Sequence, residues 1–558
     1  MAITGDAGTQ TPSVLPSIPL HEPTSQPEAP TRSGGPLLRA ALRMILVLLL
    51  GIAVLRWLGV AVQILLEPNG GFDFISYYAA ALALRDNPAA NIYGLHALQV
   101  AALAHHAPYP GTLYMYPPLL AVALIPLTWL PPDTALHLWA VFNLLLWLAC
   151  LVLIARLLRR LLRAARPAHL GRRFDADARL FVVAIVAFLA LTYDPLAAGI
   201  GLGQINVVIC FLVLLALELE LHGRPGLAGA ALALASLLKV YPLLLLAYYA
   251  LRGRWRVVRG GGIAFVVLIA GMLPVLGIQG LLMTRGFFAA GDTAVTLAHN
   301  EALLRAPFWI ATLAGAEPGA AANLLGMLLV ALVGLAFVTG TLWALKLPTA
   351  SPGVWWRGWL RRLGALAAET AGRNEVMDIF GYLWALCTMV LLAPVSWEHS
   401  YTWLLPALIP GFGYVLLIGV GRRRTTLFLA ALTLSYALTT ADFPLGFDQV
   451  EHFTLGPMVF GHPLRPVFML MRPLGALLAW AAMGWLFLDA RRGAPADSTM
   501  SENRMMPTQT APTPPALTLR RLAGVLVSLL GAVMLMRGAI VAIMVIYGAA
   551  YGPTALLR

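Results

Sequence analysis

Charge is scarce in this chain. Asp, Glu, Lys and Arg make up 11% of its 558 residues, against roughly a quarter in a soluble domain. With 60% hydrophobic residues and a mean hydropathy of +0.80, a water-soluble fold is excluded. Cysteine is nearly absent as well. Cys150, Cys210 and Cys387 sit in or beside apolar runs without CxxC or metal-ligand spacing, so neither a disulfide framework nor a metal site is expected. There is no P-loop, no dinucleotide glycine fingerprint, no GxSxG and no HExxH. Nucleotide hydrolysis, soluble dinucleotide chemistry and zinc proteolysis therefore lack their residues, and no cofactor is called for. Acidic residues are the scarcer charge, 25 against 38 basic, giving a net charge of +13. The arginines gather in short loops between apolar runs, which makes the basic balance a signal of topology and not of nucleic-acid binding.

What the chain has in abundance is apolar runs of the roughly 20 residues that cross a bilayer, with 15 Trp and 16 Tyr to furnish interfacial belts. The fold class expected is an all-α polytopic membrane protein, embedded in the lipid bilayer, of roughly 11–13 transmembrane or re-entrant helices with a long first outer loop. Residues 1–36, rich in Pro, Thr, Ser and Gly, read as a disordered cytoplasmic tail. Residues 37–490 form the membrane domain, 491–519 a second polar linker, and 520–558 an additional C-terminal transmembrane helix.

Arginine gives the direction of each crossing. Arg32, Arg39 and Arg43 precede the first run, 37–66, and place the N-terminus inside; the loop of about 67–132 then lies outside. Within that loop, 119–130 is short and bracketed by prolines, and reads as re-entrant or interfacial. A span at 134–155 ends in Arg156, Arg159, Arg160 and Arg163, the strongest inside marker. Spans near 178–193 and 205–221 follow. Residues 226–250 resemble one more span, yet both flanks are basic, Arg224 before and Arg252, Arg254, Arg256 and Arg259 after. With Lys239-Val240-Tyr241-Pro242 interrupting it, the segment reads as a broken hairpin that enters and leaves on the cytoplasmic side. Spans near 261–282, 322–346, 377–395, 400–420, 425–440 and 466–488 complete the domain.

This topology gathers most acids and histidines on the outer face. Asp73 stands between two aromatics in Gly71-Phe72-Asp73-Phe74, just after the first span. It is a candidate general base whose pKa such surroundings would raise, or else a helix N-cap aspartate. Pro394-Val395-Ser396-Trp397-Glu398-His399-Ser400-Tyr401 packs an indole, a carboxylate, an imidazole and hydroxyls into one outer turn; the bland reading is an aromatic interfacial anchor. Lys239 is an ammonium in an apolar stretch, which needs an acid or lipid phosphate partner unless it snorkels to the cytoplasm. Gly203-Gln204-Ile205-Asn206 and Asn300-Glu301-Ala302-Leu303 are polar patches at outer rims, suited to sugar hydroxyls.

In order and spacing, Phe72-Asp73-Phe74 with Tyr77-Tyr78, Asn91-Ile92-Tyr93, Tyr116-Pro117-Pro118-Leu119, Gly203-Gln204-Ile205-Asn206, Lys239-Val240-Tyr241-Pro242 and Pro394-Val395-Ser396-Trp397-Glu398-His399 resemble glycosyltransferase family 87. These are polyprenyl-phosphate-sugar-dependent enzymes of the GT-C type, bacterial alpha-mannosyltransferases among them. The resemblance covers about residues 37–440. It differs at Asn300-Glu301-Ala302-Leu303, where the family often carries Asn-Gln-Ser-Leu. It implies a GT-C fold in the bacterial cytoplasmic membrane with the site facing outward, a polyprenyl-phosphate sugar as donor, and a lipid or glycan as acceptor. Asp73 falls on the family's general base and His399 on its outer histidine. His399, with Lys239 or Arg305, would then offset charge on the departing phosphate, and Trp397 and Tyr116 would stack on sugar rings. Gln204, Asn206, Tyr241, Asn300 and Glu398 complete the expected binding set. The alternatives are a transporter or flippase of lipid-linked saccharides, which needs access from both sides, and a surface-glycan ligase or polymerase.

Overall fold

The computed structural model describes residues 36–66, 71–164, 187–282, 286–287, 300–344, 374–418, 422–440, 465–492 and 531. The tail up to residue 35, the polar linker from 493 and, but for residue 531, the C-terminal helix expected at 520–558 lie outside the described residues. So do Asp292, His299, Asp442, Asp448, Glu451, His452 and His462. Every described element is helical, as runs of Leu, Ala and Arg favour and as a bilayer demands of any open chain that crosses it.

Helix α1 (Pro36–Leu66) opens on proline and runs through the first apolar stretch. The outer loop is itself built of helices: α2 (Phe72–Asp86), α3 (Leu95–Ala104) and α4 (Pro118–Leu124), the last continuing into a 3-10 turn, Ile125–Trp129. The proline-bracketed 119–130 run is thus α4 and its 3-10 extension, too short to cross. Helix α5 (Pro132–Ala164) continues beyond the expected end at 155. Arg and Leu are both good helix formers, and the extra turns carry Arg160 to Glu218 at 3.6 Å and to Glu375 at 3.0 Å.

After a helical stretch at 187–191 come α6 (Asp194–Gly201) and α7 (Asn206–Leu221). The expected broken hairpin is α8 (Pro225–Leu238) and α9 (Leu243–Leu251), interrupted at Lys239 to Pro242. Its two ends return to one side. Arg254, just past α9, lies 4.0 Å from Glu220, just before α8, and pairs with Asp378 at 3.3 Å. Helix α8 also packs tightly on α10 (Trp255–Leu282), where a Cβ on Gly229 would come within 1.9 Å of the Val257 carbonyl. Such close approach of small residues is how helices associate in lipid.

The chain continues through α11 (Ala306–Leu313), α12 (Ala320–Ala344) and α13 (Glu375–Leu392). A 3-10 turn, Glu398–Leu404, then feeds α14 (Leu405–Leu417), before α15 (Arg422–Thr439) and α16 (Arg465–Arg492). Among the described residues, five helices are long and apolar enough to cross a membrane: α5, α10, α12, α13 and α16. The expected span at 400–420 is instead a 3-10 turn followed by a helix of 13 residues. Helix α13 is the pillar of the bundle, 83% of its apolar window being buried against 17% for α10. Its buried Tyr382 and Trp384 rings pack against those of Tyr248, Phe337 and Phe487.

Charge is sorted to the two ends of this bundle. One end holds Arg160, Glu218, Glu220, Arg252, Arg254, Glu375 and Asp378 in a network of ion pairs, the tightest being Arg252 to Asp378 at 2.6 Å. The other end holds the sequence motifs.

Candidate active site

The site begins with the way α2 is started. Gly71 occupies the N-cap position with φ 77°, and no side chain caps the helix. The first amide groups of α2 instead donate to the turn after α6: Gly71 N–H to the Gly201 carbonyl at 3.2 Å, and Asp73 N–H to the Leu202 carbonyl at 3.1 Å. Asp73 is therefore inside the first turn and is not the capping residue, so its carboxylate is left for other partners. The turn approaches this closely because Gly203 has φ 70° and no Cβ; one added there would fall 2.7 Å from the Phe74 Cβ. Trp139 of α5 closes the joint by donating its indole N–H to the Gly203 carbonyl at 2.7 Å.

Next to that turn the Gln204 side chain, fully buried, donates from Nε2 to Asp73 Oδ2. Its Oε1 accepts from the Tyr77 and the Tyr116 hydroxyls, each at 3.0 Å. Tyr116 stands in the loop before α4. Burial and, after it, the Asp73 carboxylate push its phenol well above the ordinary value, so it remains a donor. Asp73 itself is half-buried.

Lys239 enters from the hairpin break. Its ammonium donates to Asn206 Oδ1 at 3.0 Å, and it lies over three rings, Trp403 at 4.9 Å, Tyr116 at 5.5 Å and Tyr241 at 5.8 Å. The Asp73 carboxylate is near enough to act on it through space. Contacts of this kind are worth about 0.5–1 kcal/mol each when exposed and about 2 kcal/mol or more when desolvated; together with the hydrogen bond they keep an ammonium in an apolar break. Asn206 passes the connection on, donating from Nδ2 to the His399 carbonyl at 3.0 Å. The His399 ring is buried and lies 5.7 Å from the Trp397 ring.

The 394–401 turn is braced from two directions. Tyr241 donates to the Val395 carbonyl at 3.1 Å. Asn300 donates to the Pro394 carbonyl at 2.9 Å and accepts from the Ser396 amide at 3.1 Å. Beneath it, Arg472 of α16 pairs with Glu301 at 2.5 Å and Glu398 at 3.5 Å, all three side chains being at most 14% exposed. Arg305 turns to other partners: it stacks on Phe308 at 3.8 Å and reaches Asn323 at 3.4 Å.

Of the residues singled out in the sequence, Asp73, Tyr116, Gln204, Asn206, Lys239, Tyr241 and His399 thus form one connected group. Trp397, Glu398 and Asn300 belong to its rim, and Arg305 stands apart on α11 and α12. Asp86 and His105 of the outer loop pair with each other at 2.5 Å, apart from this group. Three contributors were missed. Tyr77 was read only as part of a motif, and Trp403 looks like an ordinary interfacial indole. Arg472 carried a signal that went unused, a single cation inside the apolar 466–488 run. Chemically, the group offers a positioned carboxylate, a cation held by aromatic faces, and flat rings at a half-open end of an apolar bundle.

Residues 114–355 match the family model described as Glycosyltransferase family 87, a stretch that contains Tyr116, Gln204, Asn206, Lys239, Tyr241, Asn300 and Arg305. Among curated proteins the chain is 28% identical over 339 residues to the polyprenol-phosphate-mannose-dependent alpha-(1-2)-phosphatidylinositol mannoside mannosyltransferase of Mycobacterium tuberculosis. That match covers 58% of this chain and 66% of the relative. The protein of the same description from Mycolicibacterium smegmatis is 26% identical, with the same coverages. The chain thus spans just under two thirds of the length of these two relatives. A polyprenol-phosphate-mannose-dependent alpha-(1-2)-phosphatidylinositol pentamannoside mannosyltransferase of M. smegmatis is 24% identical over 84% of this chain and 96% of its own. No solved structure matches. In motif order, in its all-α polytopic architecture and, over residues 114–355, in sequence, the chain is similar to glycosyltransferase family 87.

Proposed function

We propose that the protein is a GT-C type membrane glycosyltransferase that moves a hexose from a polyprenyl-phosphate donor to a lipid or glycan acceptor. Mannose is the sugar that its relatives' names favour. Asp73 accepts the proton of the acceptor hydroxyl, whose oxygen attacks the anomeric carbon. The bond from that carbon to the phosphate oxygen breaks, and its electron pair leaves with the polyprenyl phosphate. A single displacement of this kind inverts the anomeric centre. Lys239 and His399 offset the negative charge that grows on the departing phosphate, whereas Arg305, engaged with Phe308 and Asn323, stands apart from it. Trp397 presents a ring face to the sugars, with Asn300 and Glu398 shaping the rim and Tyr116, Asn206 and Tyr241 backing it from the connected group.

The observation that carries the reading is the juxtaposition of a half-buried, amide-held carboxylate, Asp73, with a ring-caged ammonium, Lys239, at one end of the bundle. The acid takes a proton while the cation meets the leaving group, which are the two demands of the transfer. The end opposite the site carries the arginine-rich network, so the positive-inside rule favours a site on the outer leaflet.

The test is transfer of radiolabelled mannose from polyprenyl-phosphate-mannose to membrane lipid by membranes holding the wild type or Asp73→Asn at equal expression. The expected outcome is transfer by the wild type and a loss of at least about a hundredfold in the variant. Equal transfer by both would remove Asp73 from the chemistry, and no transfer by the wild type would remove the donor assignment.

A further inference from the structure

Gln204 sits at the centre of the site and yet has little left to offer a substrate. Its side chain is fully buried, and its amide is engaged at both ends. Nε2 donates to Asp73 Oδ2, and Oε1 takes the Tyr77 and Tyr116 hydroxyls at 3.0 Å each, which uses both lone pairs of the carbonyl oxygen. Its backbone is fixed as well, the Gln204 amide donating to the Gly199 carbonyl at 2.8 Å and the preceding Gly203 held by Trp139.

We propose that Gln204 is a positioning residue for Asp73: the two tyrosines lock the orientation of its amide, and the amide in turn fixes and keeps ionised the carboxylate that accepts the acceptor's proton. The inference rests on the glycosyltransferase reading and adds a group that acts through the base. The lock is electrostatic. Rotating the amide by half a turn would set Oε1 against the Asp73 carboxylate, acceptor against acceptor. It would also take from both tyrosines, in a fully buried place, the oxygen to which they donate. Tyr77 and Tyr116 meet edge to face, with ring centres 4.8 Å apart, so each holds the other's hydroxyl in place. Two hydroxyls donating to a carbonyl also polarise the amide and strengthen its donation from nitrogen.

Among the described residues, the titratable and charged groups that act on Asp73 include Tyr77 on its own helix, Tyr116 on the loop before α4, and Lys239 at the hairpin break. Gln204 is the neutral member of this set. A hydrogen bond donated to a carboxylate favours its charged form, so losing the donor raises the carboxylate's pKa. The variant's activity is then missing at low pH and returns as pH rises through the new value.

The experiment compares pH profiles of mannosyl transfer for the wild type, Asp73→Asn, Gln204→Glu and Tyr77→Phe at saturating and limiting donor. Gln204→Glu keeps shape and an acceptor for the tyrosines but replaces the amide N–H by a second acid, whose charge also disfavours an ionised Asp73; Tyr77→Phe adds no charge and separates the two effects. The expected result is a fall of about 10- to 100-fold in kcat near neutral pH, little change in the donor KM, an acidic limb displaced to higher pH, and partial recovery in alkali. Tyr77→Phe unlatches one side and should give a smaller displacement in the same direction; it carries the test if Gln204→Glu does not fold, as judged by gel filtration in detergent. An unmoved limb, a loss equal at every pH, or a raised donor KM at unchanged kcat would overturn the proposal, the last pointing to a sugar-binding glutamine. Wild-type transfer with Asp73→Asn inactive keeps the parent reading standing in those cases, whereas absence of wild-type transfer sinks both.

Discussion

A lone ammonium in an apolar break is the residue on which the leaving-group half of the proposed mechanism turns. Lys239 is held by one hydrogen bond, to Asn206, and by the faces of Trp403, Tyr116 and Tyr241. This arrangement satisfies the charge without neutralising it, leaving it available to a phosphate. Lys239→Met, which keeps the length of the side chain but not the charge, is expected to lower kcat/KM for the donor by about 10- to 100-fold, the worth of one charge-assisted contact. Lys239→Arg should not restore it, because a planar guanidinium does not fit a cage shaped for a compact ammonium. A titration of donor against initial rate decides: wild-type kcat/KM in Lys239→Met would exclude a role for this charge in donor recognition.

Among the elements, the 3-10 turn at Glu398–Leu404 is the one that most depends on its neighbours. It carries His399, yet its polar residues face an apolar surrounding, and α16 supplies the countercharge through Arg472, which is 4% exposed. The pairs to Glu301 and Glu398 bind the turn, the Asn300 loop and α16 into one piece. Breaking a buried ionic group by removing a single partner is costly, since the remaining charges stay buried without compensation. Arg472→Ala is expected to lose about 3–5 kcal/mol of stability, read as a large drop in the thermal unfolding midpoint in detergent. An unchanged midpoint would mean that water reaches the two carboxylates. This element also shows why a hydropathy profile overstates the spans: residues 400–420 are apolar enough for a crossing, but the 3-10 turn and Pro406 divide them into a site-bearing turn and a short helix.

At the scale of the whole molecule, the two charged ends set the orientation in the bilayer. Tyr109, in the helical outer loop, is 59% exposed, and Arg224, in the turn between α7 and α8, is exposed at the opposite end. The three native cysteines are buried and give little background. In intact cells a membrane-impermeant maleimide is expected to label Y109C readily and R224C only after permeabilisation. The reverse pattern would invert the protein and move the site to the cytoplasmic leaflet, where a different face of the donor pool would be presented.

Much of this was legible in the order of the amino acids. Low charge and long apolar runs dictate a helical membrane protein, because hydrocarbon leaves no other way to satisfy a backbone. The basic flanks of 226–250 and the Lys239 to Pro242 interruption dictate a broken hairpin, because two arginine-rich ends belong on one side. Asp73, Lys239 and His399 stood out because ionisable groups in apolar surroundings are costly to keep. What folding alone decided is who meets whom. Asp73 is not a helix cap because α2 starts before it, at Phe72, on a Gly71 N-cap that the Gly201 and Leu202 carbonyls, more than a hundred residues away, hold in place through the Gly71 and Asp73 amides. Gln204, which by itself looks like a sugar ligand, is committed on every side to Asp73, Tyr77 and Tyr116. Arg472 lies far along the chain from the two glutamates it joins, and nothing local marks it as their partner. Hydropathy and charge act along the chain and can be read there; hydrogen-bond partners at long separation exist only once the helices have packed.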